Sequence, residues 1–119
     1  MQELIARIAK NVGIDQDLAM KAVGIIMQFL SEAAPGDKVD ALLDALPGAR
    51  EFLEAQGGGG SFGGMMGAMA AANEMTEAGL DLSQVQDVTK ETIKYAREKA
   101  GEETVNNIVA SIPGLSQFI

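Results

Sequence analysis

Apolar residues recur at helical spacing along most of the chain. Residues 2–12 place them every three or four positions, which predicts a short amphipathic helix that Gly13 ends. Residues 16–33 are apolar nearly all round, a pattern typical of a helix buried on more than one side. Residues 82–99 keep one apolar stripe and a charged outer face. We therefore expect the first long helix to be central and the second to be peripheral.

The same pattern occurs twice in the chain. Residues 13–53 align with residues 79–119 without a gap, at a constant offset of 66. The alignment is anchored by a Leu-Pro-Gly-Ala turn at 46–49 and an Ile-Pro-Gly-Leu turn at 112–115. We predict an all-α fold, in which a tandem duplication of a three- to four-helix unit packs into one pseudo-twofold helical bundle.

Helix starts and stops carry the same signals in both copies. Asp15 and Asp81 are typical N-cap residues, and Gln84 supplies the side chain that completes a capping box in the second copy. The two Pro-Gly turns end a third helix in each copy, predicted over about 38–46 and 104–112.

The repeat and a glycine run divide the chain into three parts. We expect a first helical repeat over residues 1–56, a Gly-rich linker over 57–66 and a second helical repeat over 67–119, with one shared core. Four consecutive glycines at 57–60 lose too much backbone entropy to favour a helix, which predicts a flexible linker. A phosphate-binding loop is disfavoured because no Gly-Lys-Ser/Thr follows.

Composition removes most catalytic chemistry. The chain has no Cys and no His, so thiolate nucleophiles, Cys-ligated zinc and the commonest general base are excluded. We predict no catalytic residues, no cofactor and no enzymatic activity. Asp37, Asp40 and Asp44 share one helix face and, with Glu102 or Glu103, are a candidate cation site. No EF-hand spacing is present, so a solvated acidic face is favoured and no metal is predicted.

The formal net charge of −8 limits the partners. It is divided evenly between residues 1–56 and 67–119, and it repels a phosphate backbone, so we expect no nucleic acid partner. The N-terminal residues lack the pattern of a secretory signal, which makes a cytoplasmic location the expectation.

A membrane contact is a weaker alternative. Residues 55–73 carry no charge and are long enough to span a bilayer, but Gly, Ala, Ser and Gln dominate them. A looser lipid contact through the methionines of this segment stays open.

Clustered methionines form adaptable binding surfaces, although they more often fill cores. The favoured function is a non-enzymatic protein–protein interaction module that self-associates or binds another protein. The alternative is a lipid or apolar small-molecule binding protein that uses the Met/Gly/Ala-rich central segment. The candidate interaction surface consists of apolar side chains from the first long helix and this segment: Met20, Val23, Met27, Phe62, Met65, Met66 and Met69.

The turns also carry a resemblance. The opening residues 3–8, the Gly-Ile-Asp turn at 13–15, the two Pro-Gly turns and the Gly/Met-rich middle resemble a group of short bacterial helical proteins of unknown function. The chain is more loosely similar to the YidB-like uncharacterised family. The resemblance implies an all-helical bacterial protein and supplies no site residues.

Overall fold

The computed structural model describes residues 2–33, 36–46, 48–55 and 67–111, and all regular structure within these ranges is helical. The all-α prediction is therefore confirmed for the described residues. The predicted linker and the second Pro-Gly turn, at 112–115, lie outside them. The helices are α1 (Gln2–Ile8), α2 (Gln16–Ala33), α3 (Gly36–Ala45), α4 (Ala49–Ala55), α5 (Gly67–Ala78), α6 (Leu82–Ala100) and α7 (Glu102–Ser111), with a π-helical turn (Ala9–Gly13) after α1.

One cluster of buried apolar side chains forms the core. It includes residues of every helix, from Leu4 in α1 to Ile108 in α7, and it therefore joins the N-terminal half (residues 2–55) to the C-terminal half (residues 67–111). The two halves bury their apolar surface together.

The helices pack across the two halves. The most extensive pairing joins α2 to α5, and α1 lies against both α2 and α6. The two long helices, α2 and α6, contact each other, and α3 contacts α7. Each long helix is thus covered partly by a helix from the other half.

The prediction that the second long helix is peripheral is wrong. Helix α6 contacts α1, α2, α3, α5 and α7, and it buries a wider face than the apolar pattern indicates. Thr89 and Thr92 lie in this face because their hydroxyls donate hydrogen bonds of 2.8 Å to the carbonyls of Val85 and Val88 in the same helix. A hydroxyl that is satisfied in this way is buried at low cost. The side chains that α6 buries are Val85, Val88, Thr89, Thr92, Ile93, Tyr95 and Ala96.

Most predicted boundaries agree with the structure within two residues. Asp81 is the N-cap of α6, and its backbone N–H donates a hydrogen bond to the Gln84 side chain at 2.9 Å, which confirms the capping box. The first predicted helix differs, because α1 ends at Ile8 and the chain continues as a π-helical turn. A hydrogen bond from the Ile14 N–H to the Ala9 carbonyl, 3.1 Å long, closes that turn.

Glycine is required where α2 and α6 are joined to the helices before them. Gly13 has a φ of 83° and Gly79 a φ of 123°, a region that side chains with a Cβ rarely adopt. Nothing lies within 4 Å of a Cβ built on either residue, so the requirement comes from the backbone alone.

We predict that Gly79→Ala lowers the free energy of unfolding by about 1–2 kcal/mol, because a Cβ strains this backbone region. Gly36→Ala is the matched control, since nothing lies within 4 Å of its Cβ and its φ is not positive. The control should be neutral or stabilise by up to about 1 kcal/mol. Urea titration measures both, and equal effects of the two substitutions would contradict the prediction.

Candidate interaction surfaces

The seven residues of the predicted interaction surface have different surroundings in the structure. Met20 is 39% exposed, whereas Val23 and Met27 are buried at 0% and 2%. Phe62, Met65 and Met66 lie outside the described residues, and Met69 lies in α5 at a position whose side chain is not described.

The expectation that Val23 and Met27 contribute to a surface is corrected by their burial. Helix α2 is apolar nearly all round, and α1, α3, α4, α5 and α6 all pack on it. Its second apolar face is therefore used inside the chain, and Met20 is the member of this face that remains exposed.

Leu82 is an exposed apolar residue that sequence reasoning missed. The residue is 60% exposed. Among the described residues, Leu82 and Met20 are the large hydrophobic residues that are exposed. Leu82 is the first residue of α6, directly after the N-cap, where a side chain has no preceding turn to pack on. The N-cap assignment at Asp81 was a signal that could have identified it.

An open groove of about 420 Å³ runs between α2 and α5. Two small residues, Gly24 and Ala78, line the groove together with Ile25. Acidic and basic side chains both lie along its edges. The complete lining is Lys21, Gly24, Ile25, Gln28, Glu74, Glu77 and Ala78.

Helix α6 carries all the basic residues of the C-terminal half. Lys90, Lys94 and Arg97 line an open groove of about 560 Å³ along this helix, with Ile93 between them and Glu98 and Glu102 at its edge. The Arg97 Nη2 donates a hydrogen bond to Asn106 Oδ1 of α7 at 3.2 Å.

Arg7 joins α1 to the acidic side of α6. Its Nη2 lies 2.8 Å from Glu98 Oε2 and its Nε lies 3.3 Å from Glu91 Oε2. The hydrogen bond from Arg7 lowers the pKa of Glu98 below its ordinary value. The same bond to Glu98 raises the pKa of Arg7. Both ion pairs connect the N-terminal half to the C-terminal half.

The candidate cation site contains a fixed cation of the chain itself. Arg50 of α4 lies 2.7 Å from Asp44 and 3.7 Å from Asp40, so two of the three carboxylates on α3 already face a guanidinium. In the part of the chain that the structure describes, no group of three or more carboxylates is arranged to hold a metal ion.

Tyr95 is the largest fully buried side chain among the described residues. Burial raises the pKa of its phenol, and the Lys99 ammonium lies 5.7 Å from the centre of its ring. The ring therefore packs in the core while a cation covers one of its faces.

Comparisons with known proteins return no match: no family model, curated protein or solved structure resembles the chain significantly. Among helices in the described ranges, none is long and apolar enough to cross a bilayer. The resemblance to short bacterial proteins and to the YidB-like family stays a prediction.

The different surroundings of the two methionines predict different costs of truncation. Met27→Ala should lower the free energy of unfolding by about 2–5 kcal/mol, because it leaves a cavity in the core. Met20→Ala should change it by no more than about 0.5 kcal/mol. Both are measured by urea unfolding of dilute protein, and a small effect of Met27→Ala would show that this side chain is not in the core.

The pKa of Glu98 predicts an acid-sensitive contribution to stability. A carboxyl whose pKa is lowered by folding stabilises the folded state above its unfolded pKa, and this contribution is lost as the pH falls through the folded pKa. The ordinary value is 4.5, so the contribution should be complete at pH 7 and should fade below about pH 4.5.

Arg7→Gln tests this contribution. Its melting temperature should lie below that of the wild type at pH 7, and the difference should shrink as the pH falls below the ordinary glutamate pKa of 4.5. Lys10→Gln, an exposed cation on the neighbouring turn, is the control and should show no such convergence. A difference between wild type and Arg7→Gln that is constant with pH would contradict the assignment.

Proposed function

We propose that the chain is a non-enzymatic helical interaction module whose partner is a second copy of itself. The observation that supports this most is the exposure of Met20 and Leu82 near the N-terminal ends of the two long helices. Most other apolar side chains of α2 and α6 are buried in the core. These two side chains are thus the apolar surface that the described part of the fold leaves for a partner.

The size of this surface favours a weak and concentration-dependent association. Full burial of a Met or Leu side chain contributes roughly 1.5–3 kcal/mol, and both side chains here are already partly covered. Two such residues from each copy would support a transient contact. The net charge of −8 on each copy opposes association, so salt should strengthen it.

The arrangement of the helices supports a further part of the proposal, that the fold is a tandem duplication about a pseudo-twofold axis. The contacts of α1 with α2 and α6 have counterparts in the contacts of α5 with α6 and α2. A twofold axis between the copies would exchange α2 with α6 and α3 with α7, so each of these two contacting pairs would map onto itself. Reciprocity of these pairs is expected of two copies that exchange their first helices, although among the described residues the α3–α6 contact has no comparable counterpart between α7 and α2.

Burial follows the same offset of 66 residues. Seven buried side chains of α6 correspond one by one to seven of α2. The hydrogen bonds before the long helices correspond too, since Ile14 to Ala9 and Leu80 to Met75 are both 3.1 Å. The α2 set is Ala19, Ala22, Val23, Ile26, Met27, Phe29 and Leu30.

The π-helical turn explains the one shift between the copies. The buried Ile8 lies six residues before Ile14, whereas the buried Met75 lies five residues before Leu80. A π turn holds one more residue than the corresponding α turn. The two first helices therefore bury equivalent faces if the N-terminal copy contains one extra residue.

Sedimentation velocity over a wide concentration range tests the self-association. We predict that the wild type forms a reversible dimer and that the double variant Met20→Gln, Leu82→Gln weakens it at least tenfold while it stays folded. Glutamine removes the apolar surface without a change of charge.

The matched control is the pair Gln16→Ser, Ser83→Gln, at exposed positions near the same two helix ends. It should dimerise like the wild type. A wild type that stays monomeric at high concentration would refute self-association, and a dimer that the double variant leaves unchanged would refute this surface. The lipid-binding alternative depends on the central segment and stays a prediction.

A further inference from the structure

The core is divided between the two halves in an unusual way. The largest helix pairing of the fold, α2 with α5, crosses between the halves, and so do the pairs α1–α6, α2–α6, α3–α6 and α3–α7. Both ion pairs of Arg7 also cross between the halves. Each half therefore presents to the other a large apolar face that it does not cover itself.

We propose that the two halves are exchangeable between copies, so that residues 67–111 of one chain pack on residues 2–55 of a second chain. The product is a closed dimer with two cores, each built from the contacts described above. This inference rests on the proposed function in that the partner is again a second copy. It uses a different surface, the interface between the halves.

The balance between the closed monomer and the exchanged dimer depends on residues 56–66, because the contacts are the same in both. Eleven residues reach at most about 40 Å, and the longest dimension of the molecule is 32 Å. The connection is therefore long enough for the closed monomer, and we expect it to span two adjacent cores as well. A linker as short and flexible as the glycine run predicts would hold its ends at an effective concentration of about 1 mM. The wild type should accordingly exchange halves to a large extent only near that concentration.

A change of the connection separates the two arrangements. In the alanine variant, six glycines of the connection become alanine: Gly57→Ala, Gly58→Ala, Gly59→Ala, Gly60→Ala, Gly63→Ala and Gly64→Ala. Each substitution favours helix roughly fivefold. A continuous helix over residues 49–78 is about 45 Å long and exceeds the longest dimension of the folded molecule, so one chain cannot close on itself. In the control, the same six glycines become serine, because Ser-rich linkers, like Gly-rich ones, do not favour a helix.

We expect the alanine variant to sediment as a dimer at micromolar concentration with wild-type helix content by circular dichroism. The serine variant should behave like the wild type. The double variant Met20→Gln, Leu82→Gln, made in the alanine background, should leave this dimer intact, which separates exchange from association through the exposed side chains. An alanine variant that is a folded monomer, or a monomer that loses its helix content, would overturn the inference.

The Arg7 ion pairs supply a second readout. One alanine-variant chain carries Arg7→Glu, and another carries Glu91→Arg with Glu98→Arg. When both are unfolded and refolded together, only the mixed exchanged dimer restores opposite charges in both cores. We expect mixed dimers in several-fold excess over the statistical proportion, as measured by mass spectrometry of intact dimers. A statistical distribution would show that the halves do not meet in trans and would overturn the inference.

Discussion

Burial of the two long helices is the constraint on which the rest of the structure depends. Helices α2 and α6 contact each other, and neither is covered by its own half alone. Helix α5 reaches back to cover α2, and α1 reaches forward to contact α6. Neither half has a complete core without the other. The helix that precedes each long helix in the chain must therefore point toward the opposite half. The positive φ values of Gly13 and Gly79 set these directions.

Helix positions followed closely from the sequence, because they depend on local signals. The bounds of α2 and the start of α6 agree with the prediction, since N-caps and apolar periodicity act within one or two turns. The π-helical turn was not predicted, since its pattern of hydrogen bonds leaves no distinct signature in an apolar stripe. The all-helical architecture was predictable because it too depends on these local signals.

The environment of each side chain was predicted less well from the sequence. The apolar stripe predicted for α6 contained Val85, Val88, Thr92, Tyr95 and Ala96, and it omitted Thr89 and Ile93, which the structure also buries. The Thr89 hydroxyl is satisfied within its own helix. The methionine face of α2 was considered a surface because periodicity shows that a face is apolar and does not show which helix covers it. Met27 and Met20 share that face, and only tertiary packing separates the buried residue from the exposed one. The sequence therefore predicted the exposed residue Met20, whereas Leu82 was missed although the N-cap at Asp81 marks the start of its helix.

Tyr95 gives the fold an internal optical reporter. The chain contains no tryptophan and one tyrosine, so its near-ultraviolet absorbance and fluorescence come almost entirely from this buried ring of α6. The ring packs in the core that both halves share, with the Lys99 ammonium over one face. Because α1, α2 and α3 of the other half pack on α6, we expect separation of the halves to increase the exposure of the ring to water. Its emission and its alkaline ionisation therefore follow the joining of the halves without an introduced label.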